Sequence, residues 1–260
     1  MLDIHNHSYF SFDSKVRPLD AVNMAIKRGC SGFGFAEHIY LTDAVNIDSL
    51  KIKLHQYLEE VQQIKKKTSI PIFSGVEFNF FDKFDQEYAH LSKSLPFDYV
   101  INSVHWINGV DLYKSFVGKY PFEEAFALYL QEVKRSLFAQ YDYQIVGHLG
   151  VIFKIYNIQP TDEFLEKYQK ELRDIFNIII EKNKVLEVNT ATNGVNLCFA
   201  NEYMLKLYYA LGGRNISFGS DAHVLEHVYF RAEEVRKMLK GIGFNQITSF
   251  IKKTPVYEKI

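Results

Sequence analysis

Two short runs in this 260-residue sequence carry side chains suited to holding cations. Asp3-Ile-His5-Asn-His7 stands near the start, and Gly219-Ser-Asp221-Ala-His223 stands late in the chain. His5 and His7 are two residues apart, as are Asp221 and His223, so on an extended segment each pair faces one way. Glu77, His105 and His148 fall at the ends of apolar runs between them. This donor set has nitrogen and oxygen but no thiolate, which suits zinc, iron or manganese. One zinc takes three protein ligands and an open position, so the set implies two or three divalent ions. Two ions a few ångströms apart would hold a bridging hydroxide that is nucleophilic at neutral pH, and a third would place an anionic group. Phosphate-ester hydrolysis fits, because it is so slow without a catalyst.

Such residues need elements to bring them together. Apolar runs predict strands at Leu2–Ile4, Gly32–Phe35, Ile70–Ser74, Tyr99–Ser103, Gln144–Val146, Val185–Val188 and Asn215–Phe218. Amphipathic patterns predict helices over Pro18–Lys27, Ile47–Lys67, Pro121–Gln140, Thr161–Asn183, Asn201–Leu211 and Glu226–Lys240. Strand–helix alternation argues for βαβ units and a parallel sheet, either open or closed into a barrel. No glycine-rich phosphate loop follows the first strand, as an open nucleotide-binding sheet would require. In barrel enzymes the catalytic groups come from the C-terminal ends of several strands. The donors fall there, with Glu37-His38 after the second strand and Glu187 to Asn189 at the sixth. The expectation is therefore a barrel of seven βα units. Six of the nine histidines lie at strand ends; His55 and His90 fall on helices and read as surface residues, and His227 has no assigned role.

Each piece alone has a duller reading. An H-x-H, a strand-end Glu or one buried His is more often structural than catalytic. Their joint placement at strand ends, read from hydrophobicity alone, carries the argument.

Composition narrows the class. Thirty basic against thirty-one acidic residues argue against a polyanion-binding arm, so nucleic acid is not expected as a partner. Two cysteines, Cys30 and Cys198, make no disulfide framework. No apolar run approaches the roughly 18 residues that span a bilayer. The start, MLDIHNHSYF, lacks the layout of a signal peptide. A cytoplasmic globular protein of one domain, residues 1–260, is expected. The oligomeric state is not legible.

The motifs, taken in order, resemble the polymerase and histidinol phosphatase (PHP) family. They are D-x-H-x-H (Asp3 to His7), Glu37-His38, G-x-E (Gly75 to Glu77), S-V-H (Ser103 to His105), Gly147-His148, E-x-N (Glu187 to Asn189) and G-S-D-A-H (Gly219 to His223). H-S-x-F-S-x-D-S (His7 to Ser14) and S-V-H-W-I-N-G (Ser103 to Gly109) look most like its histidinol-phosphate phosphatases. The resemblance implies a distorted seven-stranded (β/α) TIM-like barrel, the PHP fold, with a trinuclear metal site. It makes His5, His7, Glu77 and Asp221 ligands of one ion. Glu77 would bridge to a second held by His105 and His148, and Asp13, His38 and His223 would hold the third. Asp13 enters through the resemblance alone; an Asp in a polar loop reads otherwise as a turn residue.

The sequence also departs from that pattern. Arginines expected after Gly147-His148 and after Glu187 to Asn189 are missing; the stretches read His148 to Lys154 and Ala191 to Val195. Arginine grips phosphate bidentately and lysine does not. Lys15, Arg17, Lys154 and Arg231 are the basic residues that would replace the clamp. The expected activity is metal-dependent hydrolysis of a small phosphate monoester, L-histidinol phosphate first. A PHP-type phosphoesterase with another mono- or diester substrate and a catalytically silent metal-stabilised binding module are the alternatives.

Overall fold

The computed structural model describes residues 1–192, 194 and 196–260. Asn193 and Val195, in the stretch lacking an arginine, lie outside the described residues. A curled sheet of six parallel strands forms the centre. Its strands are β1 (Phe33–Ile39), β2 (Ile72–Asn79), β3 (Tyr99–Ser103), β6 (Ile145–Val146), β7 (Val185–Asn189) and β8 (Ile216–Gly219), in that spatial order. Between β3 and β6 come a small hairpin, β4 (Trp106–Ile107) and β5 (Val110–Asp111), and a π-helical turn at Leu112–Phe116. Around the sheet lie α1 (Pro18–Lys27), α2 (Ile47–Lys65), α3 (Asp85–Ser94), α4 (Phe122–Ser136), α5 (Val151–Ile155), α6 (Asp162–Lys167), α7 (Gln169–Glu181), α8 (Glu202–Ala210) and α9 (Ala232–Ile242). A hairpin, β9 (Gln246–Ile251) and β10 (Thr254–Lys259), ends the chain.

The seven-stranded barrel is not what the sheet shows: six strands are in register and Leu2–Ile4 is not a ladder strand. The segment instead runs between the two edge strands. The amide of Asp3 bonds the carbonyl of Gly32, and the amide of Gly34 bonds Asp3 in return. On the other side the amide of Ile4 bonds Phe218, and Asp221 bonds His5. Isolated bridges at Asp3–Phe33 and Asn6–Ala222 are all the pairing that results. Each side holds a few bonds because residues 3–7 alternate between neighbours.

Tyr99 fixes this segment from inside the curl. Its hydroxyl lies 2.6 Å from the carbonyl of Ile4 and 2.8 Å from that of Phe35. Gly34 and Gly75 make the room, since a Cβ on either would meet the Tyr99 ring or hydroxyl within 2.3 Å. α2 is positioned by an N-cap, Asn46 accepting from the Ser49 amide, and by a buried face of Leu54, Tyr57, Leu58, Val61 and Ile64. The helix expected over Thr161–Asn183 is broken at Tyr168, which leaves helical backbone angles. There its ring stands edge-on to Phe126 and its hydroxyl donates to the Glu123 carbonyl. The helix expected from Glu226 begins at Ala232, after a 3₁₀ turn at Leu225–His227.

His55 and His90 are exposed on α2 and α3, and both cysteines are buried and free. No helix among the described residues is long and apolar enough to cross a membrane.

Candidate metal centre

Parallel register brings the first pair of donors together. β1 and β2 pair His38 with Glu77, and both strands run far enough to include these residues rather than end before them. Glu77 sits at the middle of the cluster, fully buried, and each of its two oxygens meets a different group of imidazoles. Oε1 lies 2.8 Å from His148 Nε2 and 3.5 Å from His105 Nε2. Oε2 lies 2.8 Å from His38 Nδ1, 3.4 Å from His5 Nε2 and 3.8 Å from His7 Nε2. The turn after β8 supplies Asp221 in a left-handed conformation (φ 51°), with Oδ1 2.9 Å from His7 Nε2. At the mouth, Asp13 Oδ2 lies 3.3 Å from His38 Nε2 and 3.2 Å from His223 Nε2. Every one of the nine predicted ligands is thus in one connected cluster.

Three subsets have ligand atoms within 4.8 Å of one another: His7, His38 and His223; His5, His7 and Glu77; Glu77, His105 and His148. The cluster lacks a cation of its own. Among the described residues, the ion-pair partners of Glu77, Asp221 and Asp13 are all imidazoles. Imidazole nitrogens crowd one another instead, at 3.1 Å between His105 and His148 and 3.3 Å between His38 and His223. His5 Nε2 and Glu77 Oε2 are buried without a hydrogen-bond partner. Buried polar atoms are rarely left so, and divalent cations bound by these donors would satisfy them.

The surrounding bonds set which nitrogen is free. His5 Nδ1 lies 2.5 Å from Glu187 Oε1, so the ring proton sits there and Nε2 keeps its lone pair. His7 Nδ1 faces Ser11 Oγ at 3.1 Å, and His223 Nδ1 faces the Asp221 carbonyl at 2.9 Å, with the same consequence. Glu187 Oε2 also accepts from the His148 amide and from Asn189. Glu37 accepts from the hydroxyls of Ser8 and Ser11. Glu37 and Glu187 stood in the motifs without a role; a second inward carboxylate beside a ligand histidine is the signal that finds them.

Charge in the cluster is displaced as its lack of cations demands. Burial pushes the Glu77 carboxyl up, but the imidazoles of His5, His105 and His38 outweigh it and hold it well below the usual range. Burial disfavours charge on His5, yet Glu187, Asp221 and Glu77 raise it well above its ordinary value. His38 is raised to about 10, Glu77 and Asp13 overcoming burial. His105 is lowered to about 3, chiefly by burial.

The cluster opens into a cleft of ≈ 410 Å³. Of the four predicted basic residues, Lys154 on α5 lines it. Lys15 and Arg17 line a neighbouring hollow that shares Asp13 and His223, and Arg17 pairs with Asp20 at 2.8 Å. Arg231 donates to the Asn196 carbonyl and lies 3.2 Å from Glu234, away from the cleft. Sequence reasoning missed Tyr113, Thr192 and Val224 in the cleft wall and gave His227, also in it, no role. Tyr113 comes from the π-helical turn, which has no sequence signature of its own.

A curled parallel sheet whose strand ends carry a buried imidazole–carboxylate cluster defines a metal-dependent hydrolase. The chain belongs to the PHP domain family, whose profile matches residues 3–191. It is 26% identical over 267 residues to the histidinol-phosphatase of Lactococcus lactis, covering 96% of this chain and 94% of that one. A crystal structure of histidinol phosphate phosphatase from the same organism, complexed with zinc, L-histidinol and phosphate, matches with a TM-score of 0.83. That match has 27% identity and covers 98% of both chains. A chain from Listeria monocytogenes shares the fold, with a TM-score of 0.78 and 20% identity over 90% of this chain and 99% of its own.

Proposed function

We propose that this chain is a metal-dependent phosphatase that hydrolyses L-histidinol phosphate to L-histidinol and phosphate. The observation that carries the reading is the cluster around Glu77, whose two oxygens serve two groups of imidazoles. The Lactococcus structure, with zinc, L-histidinol and phosphate bound, supports the substrate. His5, His7, Glu77 and Asp221 would hold one ion, Glu77, His105 and His148 a second, and Asp13, His38 and His223 a third. Zinc, iron or manganese would suit these donors. Residues 2–7 act as the seventh strand of a distorted barrel, and residues 1–260 work as one unit in the cytoplasm.

Bound there, the ions supply a nucleophile from water and charge to offset the phosphate. The chain's own residues keep the donors aimed: Glu187 and Ser11 hold the Nδ1 protons of His5 and His7. Lys154 meets the phosphate oxygens at the cleft mouth. Phosphate release from L-histidinol phosphate by the manganese- or zinc-loaded protein tests the proposal. Turnover of other monoesters with none of L-histidinol phosphate would overturn the substrate and leave the chemistry.

A second reading, a PHP-type enzyme for another mono- or diester, rests on one observation. Lys154 is the one Lys or Arg among the described residues that line the cleft. A diester carries less charge and needs less grip. Faster hydrolysis of bis-p-nitrophenyl phosphate than of p-nitrophenyl phosphate would favour it.

A further inference from the structure

A second polar concavity lies at the other end of the sheet. Asp142 precedes β6, Lys182 and Lys184 precede β7, and the β9–β10 hairpin brings Thr248, Lys253 and Tyr257 across from them. Together these residues line a pocket of ≈ 280 Å³. β7 has five residues, so the pocket is roughly 15 Å from the metal cluster at the strand's far end.

Three lysines and one aspartate line the pocket, an excess of two positive charges. Two of them are well enclosed: the side chains of Lys184 and Lys253 are 21% and 25% exposed. Lys253 Nζ lies 3.1 Å from Asp142 Oδ2 and donates to the Ser92 carbonyl at 2.8 Å. Lys184 Nζ donates to the Tyr143 carbonyl and is 3.9 Å from Asp142, too far for a hydrogen bond. Lys182 Nζ rests over the Phe138 ring at 4.3 Å. An ammonium has three N–H donors, so donors remain on each.

Two further observations point to an occupant. Thr248 Oγ1 is buried without a hydrogen-bond partner in the pocket wall. The Lys184 ammonium is lowered by burial, and Lys182 and Lys253 add to this against the opposing pull of Asp142. Like charges gathered in a half-closed pocket are costly unless an anion joins them. Tyr257, 56% exposed at the rim, offers a ring face beside the charge.

We propose that this pocket binds a small oxyanion, a phosphate- or carboxylate-bearing molecule held by Lys182, Lys184, Lys253 and the Thr248 hydroxyl. The site is separate from the metal cleft, and only the phosphate counted at the metals in its test rests on the function proposed above.

Equilibrium dialysis of the metal-loaded protein against radiolabelled inorganic phosphate, at constant ionic strength, counts the sites. Two phosphates per chain are expected in the wild type, one at the metals and one in the pocket. Lys182→Gln with Thr248→Val should bind one and keep its metal content. Lys182→Gln alone, at an exposed position, should weaken the second site severalfold and provides the reading if the double variant fails to fold. Identical isotherms in the wild type and in Lys182→Gln would overturn the proposal. Competition with benzoate separates the sources: displacement from the pocket alone identifies a carboxylate site, and resistance identifies a phosphate site.

Discussion

Asp3, on the segment beside β1, and Glu77, near the end of β2, are both fully buried carboxylates, and they live in opposite surroundings. Asp3 accepts from the amides of Ser220 and Tyr229, the Ser220 hydroxyl and the Asn6 side chain, all at 2.6 to 3.1 Å. Burial still raises its carboxyl to about 6, because those partners are neutral. Glu77 meets imidazoles, keeps one oxygen without a hydrogen bond, and is held far below the usual range. A neutral hydrogen-bond shell makes a carboxylate a brace between segments. An unsatisfied shell of imidazoles makes it a place for cations.

The widest test of that contrast is Glu77→Gln. Both ion groups lose a charged ligand while the shape is kept. Several kcal/mol of transition-state stabilisation go with them, so kcat/KM for the phosphate ester should fall about a thousandfold. Metal content, measured by plasma emission, should fall in parallel. A Glu77→Gln chain that keeps all its metal and activity would break the contrast at its centre. Chelation of the wild type should also lower its melting temperature, since bound metal at a thousandfold over its Kd adds about 4 kcal/mol.

Glu187→Gln comes next. Its carboxylate takes the Nδ1 proton of His5, the His148 amide and the Asn189 amide. A glutamine can accept through one oxygen, so one of those donors faces an NH₂. Metal affinity should drop about 10- to 100-fold, the usual cost of losing an orienting partner. Equal affinity in the two chains would show that strand geometry alone orients His5.

Asp3→Asn probes the brace. The new NH₂ can donate only to the Ser220 hydroxyl, which must then turn its proton to Asn6 Oδ1, and the backbone amide opposite it, Tyr229 or Ser220, is left facing a donor. Unfolding by urea should show a loss of about 1–3 kcal/mol, with metal per folded chain unchanged. Lost metal without lost stability would place Asp3 in the cluster and erase the distinction.

The same contrast explains what was legible beforehand. β1, β2, β3, β7 and β8 announced themselves as apolar runs, and the donors followed at their ends. The strand expected at Leu2–Ile4 is present only as isolated bridges, because its polar bonds are divided between two neighbours. The closing hairpin was invisible because Lys252 and Lys253 take its left-handed turn positions, where Asn or Gly would have given the signal. Asp13 was found by resemblance, since nothing in a polar loop foretells that it meets His38 and His223. Tyr168 breaks a helix for the sake of packing with Phe126, a contact between residues far apart in the chain.

The finest test separates two serines that share one acceptor. Ser8 and Ser11 both donate their hydroxyl protons to Glu37, at 2.5 and 2.6 Å. Ser11 Oγ also lies 3.1 Å from His7 Nδ1 and accepts from the His38 amide at 3.0 Å. A hydroxyl has one proton and two lone pairs, so Ser11 is fully used, and His7 Nδ1 must carry its own proton. Ser11→Ala leaves that N–H and the His38 amide unpaired beside two ligand imidazoles. At about 1 kcal/mol for a hydrogen bond, metal affinity should fall roughly five- to tenfold. Ser8→Ala removes a bond to the same carboxylate but touches no imidazole, so its metal affinity should change less than about twofold. Equal losses in the two variants would mean that Glu37, rather than the His7 proton, is what Ser11 serves.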